Sequence, residues 1–174
     1  MLFSDKIETP LGTMILVSNE NGLCFAEFID DESTEKRIQL FAKKTDMEFS
    51  VSINHITEMA KVQLSNYFKK ELTNFNVPLS PHGTEFQKKV WQSLSNIPFG
   101  KTKTYKIQAD QFNSPEAIRA IASANGKNPI AIIIPCHRVI GSDGNLTGYA
   151  GGLWRKKWLL EHEGALNTGQ VSLF

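Results

Sequence analysis

Near the N-terminus two mostly apolar stretches, Thr13-Met14-Ile15-Leu16-Val17-Ser18 and Leu23-Cys24-Phe25-Ala26-Glu27-Phe28, flank the polar tetrapeptide Asn19-Glu20-Asn21-Gly22. That pattern predicts a β-hairpin. Ser33-Thr34-Glu35 opens a helix through Leu40, and residues 54–72 carry Ile56, Met59, Ala60, Leu64, Tyr67 and Phe68 close to helical spacing. The breakers in Asn76-Val77-Pro78-Leu79-Ser80-Pro81-His82-Gly83 then interrupt the periodicity. The chain is thus expected to hold an α/β domain over 1–79, a second domain over 80–165 and a tail over 166–174.

Beyond the breakers the pattern turns helical. Residues 84–95 place Phe86, Val90, Trp91 and Leu94 on one face. Helices over 106–111 and 115–125, joined by Phe112-Asn113-Ser114, have the layout of a helix-turn-helix, with Ser114 as cap and Pro115 as first helical residue. Generic helical hairpins share that layout. Asn128-Pro129 ends the helical stretch, and the β-branched run Ile130-Ala131-Ile132-Ile133-Ile134 is expected to be buried and extended until Pro135 stops it. A last helix over 153–163 carries Trp154 and Trp158 one turn apart, read as core, and is closed by Gly164.

Composition changes this picture in two respects. The chain has 174 residues, 41% of them hydrophobic and 10% aromatic, as in globular proteins. No apolar run is long enough for a membrane span, and the first residues lack the order of a signal peptide, so a cytoplasmic location is expected. The net charge of +1 hides an asymmetry. Residues 1–79 hold 8 basic against 12 acidic side chains, and residues 80–174 hold 11 against 6. A basic second half suits a polyanionic partner, and an unevenly charged solvated surface would look the same.

Two cysteines, Cys24 and Cys136, are too few for a disulfide framework and suit free thiols in a reducing compartment. Cys136 stands directly before His137. A thiol attacks as thiolate, and an imidazole is the base such a nucleophile needs. A cysteine after an apolar run is also compatible with an inert buried thiol. Gly148-Tyr149-Ala150-Gly151-Gly152 lets the backbone approach a ligand closely. Glu163, in the last turn of its helix, opposes the helix dipole, so it is either exposed or paired with a cation or donor such as the histidine beside the nucleophile.

Ile134-Pro135-Cys136-His137-Arg138-Val139-Ile140-Gly141, with Asn128-Pro129 upstream and Leu160-Glu161-His162-Glu163-Gly164 downstream, resembles the O6-methylguanine-DNA methyltransferase family. The likeness is strongest over 83–164. It implies a ribonuclease H-like first domain and a mainly helical second domain with a winged helix-turn-helix. By that resemblance Cys136 is the alkyl acceptor, His137 the base acting through a water, and Glu163 the carboxylate orienting it. Asn128 ties the recognition helix to the cysteine loop. Arg119 takes the place of the extruded base, while Tyr105 crowds the phosphate and gives the leaving guanine a proton. Arg138, Ser114 and Ala117 are further DNA-contact candidates, and Val139, Tyr149 and Ala150 line the guanine pocket.

The activity so implied is irreversible transfer of methyl or other alkyl groups from O6-alkylguanine, and O4-alkylthymine, in double-stranded DNA to Cys136, once per monomeric molecule. Base extrusion is needed because O6 lies inside the duplex. Some family members bind zinc through paired cysteines and histidines, but Cys24, His55 and His82 are scattered, so no metal or other cofactor is expected. Alkyltransferase-like relatives carry tryptophan at the acceptor position, and this chain has Cys136. The alternatives are a cysteine hydrolase or acyltransferase using Cys136 and His137, and a non-catalytic DNA-binding regulator. The terminal Gln170-Val171-Ser172-Leu173-Phe174 resembles peptides that bind sliding clamps, and a frayed terminus would read the same way.

Overall fold

The computed structural model describes residues 1–166, and the terminal peptide with its suggested clamp binding lies outside the described residues. The chain divides into two units, Met1–His82 with Pro129–Ala131, and Gly83–Asn128 with the chain from Ile132 onward.

The first unit is built on a four-stranded sheet ordered β3-β2-β1-β4, from β1 (Leu2–Thr9), β2 (Gly12–Ser18), β3 (Leu23–Phe28) and β4 (Phe49–Ser50). The predicted hairpin is β2 and β3, paired antiparallel. β1 pairs antiparallel with β2 and parallel with β4. The apolar pattern does not mark β1 because its buried positions are Leu2, Ser4 and Ile7, which breaks a clean period of two. At the hairpin turn Asn19 Oδ1 accepts from the backbone N–H of Asn21 and Gly22 at 2.8 and 3.0 Å, which satisfies both groups locally.

Gly22 has a second role. Leu23 and Leu79 form a parallel bridge, with Leu23 N–H donating to Pro78 O and Ser80 N–H to Leu23 O, both at 2.8 Å. A Cβ on Gly22 would lie 2.7 Å from the Leu79 carbonyl carbon and 2.9 Å from Pro78 O, both backbone atoms unable to yield cheaply. Gly22→Ala is therefore expected to destabilise the protein by about 1–3 kcal/mol in urea unfolding; an unchanged midpoint would contradict this account of the turn.

Two helices complete the unit. α1 (Glu32–Thr45) starts at Asp31, whose carboxylate accepts from Ser33 N–H at 2.7 Å, and it outruns the predicted end at Leu40 because Ala42 is still buried. Ile38 and Ala42 pack with Leu2, Ile15, Val17 and Cys24 against one face of the sheet. α2 (His55–Phe68) starts at Asn54 in a capping box with Thr57 and packs on β1 and β2 through a buried row that includes Ile56, Ala60 and Leu64.

In the second unit α3 (Glu85–Ser95) is capped by Thr84 and Gln87 reciprocally. Val90, Trp91 and Leu94 are buried as predicted, while Phe86, at the first turn, stays 39% exposed. The Trp91 indole N–H donates to Ala124 O at 2.8 Å, and Val90, Ala109, Ile121 and Ala124 form the core. A short strand β5 (Lys103–Thr104) leads into α4 (Tyr105–Asp110). After the turn comes a 3₁₀ segment, Pro115–Ala117, and then α5 (Ile118–Gly126).

Ser114 does not cap this helix with its side chain. The tight first turn is closed by the backbone instead, with Ala117 N–H donating to Ser114 O at 2.9 Å. A buried amide pair links α4 to α5: Asn125 Nδ2 donates to Gln108 Oε1 at 2.7 Å and Gln108 Nε2 to Asn125 Oδ1 at 3.0 Å.

The run 130–134 is buried, with Ala131 at intermediate exposure, but it is not a strand. Burial was legible in its β-branched composition; a strand also needs a ladder partner, and only Ile130 finds one, in a single bridge to Ala26. Ile132 takes φ +71°, a left-handed conformation that costs a β-branched residue about 1–3 kcal/mol. The chain thereby turns sharply into a 3₁₀ segment, Cys136–Arg138, followed by β6 (Val139–Ile140), which pairs parallel with β5.

The last helix, α6 (Leu153–His162), is followed by Gly164 at φ +70°. Its aromatics are not the core they were expected to be. Trp154 is 55% exposed against the Arg155 guanidinium, and Trp158 is partly buried and stacks on His162. The buried face consists of Arg155, Lys156, Leu159 and Leu160. Among the described residues no helix is long and apolar enough to cross a membrane.

Candidate active site

One face of α5, through Ile118, Ala122, Asn125 and Gly126, forms a wall of a cavity of about 370 Å³. These positions recur at helical spacing, so a single helix supplies a continuous surface. Tyr105 and the segment 147–150 close the other sides, and Cys136 opens into the same cavity. Tyr149 and Ala150 line it; the Val139 side chain is fully buried in β6 and is not among the lining residues.

Cys136 is held from below by Asn128, whose amide Nδ2 donates to Ile134 O at 2.8 Å and to Cys136 Sγ at 3.3 Å. One side chain at the end of α5 thus fixes both the strained turn and the thiol. His137 is fully buried, and its Nε2 lies 2.7 Å from Glu163 Oε1. A carboxylate accepts, so Nε2 carries the proton and Nδ1 presents a lone pair. Nδ1 is buried and has no hydrogen-bond partner among the described residues.

Glu163 is a hub. Besides His137 it accepts from Arg138 Nε at 2.9 Å, Arg138 Nη2 at 3.0 Å and the Gly100 backbone N–H at 3.3 Å. Arg138 Nη1 donates onward to Ile97 O at 2.6 Å. The expectation that Arg138 contacts DNA is therefore corrected: the guanidinium is buried, and its donors are spent on the carboxylate and a carbonyl. Two buried charges left apart would each need a partner, and here they neutralise each other in bidentate geometry.

Ionisation follows from these contacts. Burial pushes the Cys136 thiol up, and the Asn128 hydrogen bond and the Lys156 charge pull it back only in part. Burial holds His137 below the usual imidazole range against the opposing pull of Glu163, so the ring is neutral and ready to accept a proton. Burial alone would raise Glu163, but the hydrogen bonds and charges of His137 and Arg138 hold it well below the carboxylate range. Tyr105 is pushed up to about 12, by burial first and by Cys136 second, and its hydroxyl donates to Thr147 O at 2.9 Å. The other thiol, Cys24, is wholly buried in the first unit and pushed up to about 11 by burial, which leaves it a poor nucleophile.

Of the remaining candidates, Arg119 is exposed at the start of α5, next to the pocket residue Ile118. Ser114 is half-buried, and Ala117 packs against the core of Val90 and its neighbours. The sequence reading missed Lys156, which is fully buried, with Nζ 3.1 Å from Thr147 O and 3.0 Å from Gly148 O. Arg155-Lys156-Lys157 reads as a solvated basic run. The available signal was spacing, since Lys156 shares a helical stripe with Leu159, Leu160 and Glu163. Among the described residues no group of three His, Cys, Asp or Glu side chains is placed to hold a metal.

Comparison with known proteins places these features. Residues 2–81 match the family model described as 6-O-methylguanine DNA methyltransferase, ribonuclease-like domain, and residues 85–165 match the model for its DNA binding domain. A methylated-DNA--protein-cysteine methyltransferase of Methanosarcina barkeri is 46% identical over 162 residues, covering 93% of this chain and 97% of the relative. One of Mycobacterium leprae is 41% identical across the whole chain and 99% of the relative. Among solved structures, Mycobacterium tuberculosis OGT in complex with DNA superposes with a TM-score of 0.78 at 40% identity, covering 94% of this chain and 93% of that one.

Proposed function

The chain belongs to the 6-O-methylguanine DNA methyltransferase family, and from that premise we propose that it repairs DNA by moving an alkyl group from O6 of guanine, or O4 of thymine, to Cys136. It is a methylated-DNA--[protein]-cysteine S-methyltransferase that acts once per molecule, as a monomer in the cytoplasm. The observation that carries the reading is Cys136 at a cavity wall, backed by a neutral His137 whose Nε2 is committed to Glu163 and whose buried Nδ1 is free to accept.

Double-stranded DNA docks on the helix pair α4 and α5, with β5 and β6 as the base of a winged helix-turn-helix. The extruded nucleotide enters the cavity, where Tyr149 and Ala150, with the backbone near Val139, border the base. His137 Nδ1 takes the Cys136 proton through a bridging water. The thiolate attacks the alkyl carbon, a C–S bond forms and the C–O bond breaks, and Tyr105 gives a proton to the departing base so that it leaves neutral. The product is a thioether, which no ordinary thiol chemistry reverses. A hydrolase with the same Cys136 and His137 would release product and turn over.

The direct test mixes the protein with an O6-methylguanine oligonucleotide and follows the Cys136 peptide by mass spectrometry. One methyl per molecule is expected; repeated turnover would overturn the proposal.

Arg119 fills the space the base vacates. Extrusion costs a few kcal/mol, so Arg119→Ala is expected to slow transfer from duplex DNA on the order of 10- to 100-fold and from a single strand far less. Equal losses on both substrates in single-turnover kinetics would remove Arg119 from this role.

A further inference from the structure

We propose that Lys156 is the counter-charge of the Cys136 thiolate, a positioning residue that stabilises the ionised nucleophile inside the cavity; the proposal rests on the alkyl-transfer reading above. Its side chain is wholly buried, yet among the described residues no carboxylate pairs with its ammonium. The ammonium donates to the carbonyl oxygens of Thr147 and Gly148 and stands 5.7 Å from the centre of the Tyr105 ring. A buried cation satisfied only by dipoles is costly, and such a charge persists where an opposite charge forms beside it.

Before the proton moves, the other charged groups around the thiol do not supply that balance. Glu163 and Arg138 cancel one another, Tyr105 and Tyr149 hold their protons, and His137, neutral at rest, becomes a cation only as it takes the thiol proton, with its Nε2 side already faced by Glu163. Arg155 is turned to Gly151 O at 2.9 Å and to the Trp154 ring. Among the described residues Lys156 is thus the cation of the resting site without a paired anion, and ionisation of Cys136 supplies one. The influence is mutual: burial lowers Lys156 to about 8, and the Cys136 charge opposes that fall. Thr147 O also accepts from the Tyr105 hydroxyl, so the same carbonyl joins the counter-charge to the proton donor.

The test separates ionisation from DNA binding. Full-length wild type, Lys156→Met, Lys156→Gln and Lys156→Arg are treated with iodoacetamide without DNA across roughly pH 5 to 10, and carboxymethylation of the Cys136 peptide is followed by mass spectrometry. Met keeps the length of the stem, Gln keeps a hydrogen-bond donor, and Arg keeps the charge. In the Met and Gln variants the inflection is expected to rise by about one pH unit or more, with roughly tenfold slower modification at neutral pH, while Arg stays near wild type. An unmoved inflection in the Met or Gln variant, whichever folds, overturns the proposal, as does an Arg variant shifted as far as they are. Wild type that takes no methyl from an O6-methylguanine oligonucleotide would instead sink the alkyl-transfer reading and leave the iodoacetamide comparison standing.

Discussion

Cys136→Ser is expected to abolish methyl transfer, by at least about 10³-fold, while leaving binding to an O6-methylguanine duplex close to wild type. The substitution changes one atom in the cavity wall. Asn128 Nδ2, 3.3 Å from the sulfur, can donate to a hydroxyl as well, and Arg119 and the helix pair proposed to engage the duplex are untouched. A serine hydroxyl, however, ionises far less readily than a thiol, and a neutral imidazole with a depressed proton affinity cannot make up the difference. Single-turnover mass spectrometry gives the rate and a fluorescence titration the affinity. Transfer that survives in the serine variant would move the acceptor elsewhere, and Cys24, the other thiol, is too buried to take that part.

The site was legible where a polar residue interrupts an apolar or terminal context. Cys136 and His137 follow a buried run, Asn128 ends a helix before a proline, and Glu163 sits where a carboxylate opposes the helix dipole; the fold brings all of them together. What was not legible was direction. Arg138 follows His137 and was a DNA-contact candidate, but a 3₁₀ turn swings it inward onto the same carboxylate as its neighbour. Lys156 sits in a basic run, and the phase of α6, set by tertiary packing, decides which of three cations is buried. The fold shows the same division. Composition identified 130–134 as buried, but the partners of its two ends, Ala26 for Ile130 and Asn128 for Ile134, lie outside the segment.

Glu163 should show the largest combined effect on stability and rate. Glu163→Ala leaves the buried guanidinium of Arg138 without a counter-charge among the described residues, held by Ile97 O and the Phe99 ring, and removes the acceptor from His137 Nε2. Breaking a buried pair in this way costs about 3–5 kcal/mol, readable as a lower urea midpoint with unchanged slope. Glu163→Gln keeps the shape and isolates the chemistry. Its amide oxygen can accept from Arg138 or His137, but its NH₂ then faces the other donor. The imidazole is driven toward the tautomer with the proton on Nδ1, the atom that must accept. Transfer should fall by about 10²–10⁴-fold.

The pH dependence of stability separates the two partners. Both folded-state values are depressed, so each group contributes stability that is complete above its unfolded value and lost as pH falls. For His137 the loss begins below about 6.5, and for Glu163 below about 4.3. Wild type should therefore weaken in two stages on acidification, and Glu163→Gln should lack the second. A variant that transfers methyl groups at the wild-type rate and keeps both stages would show that Glu163 neither orients His137 nor anchors Arg138.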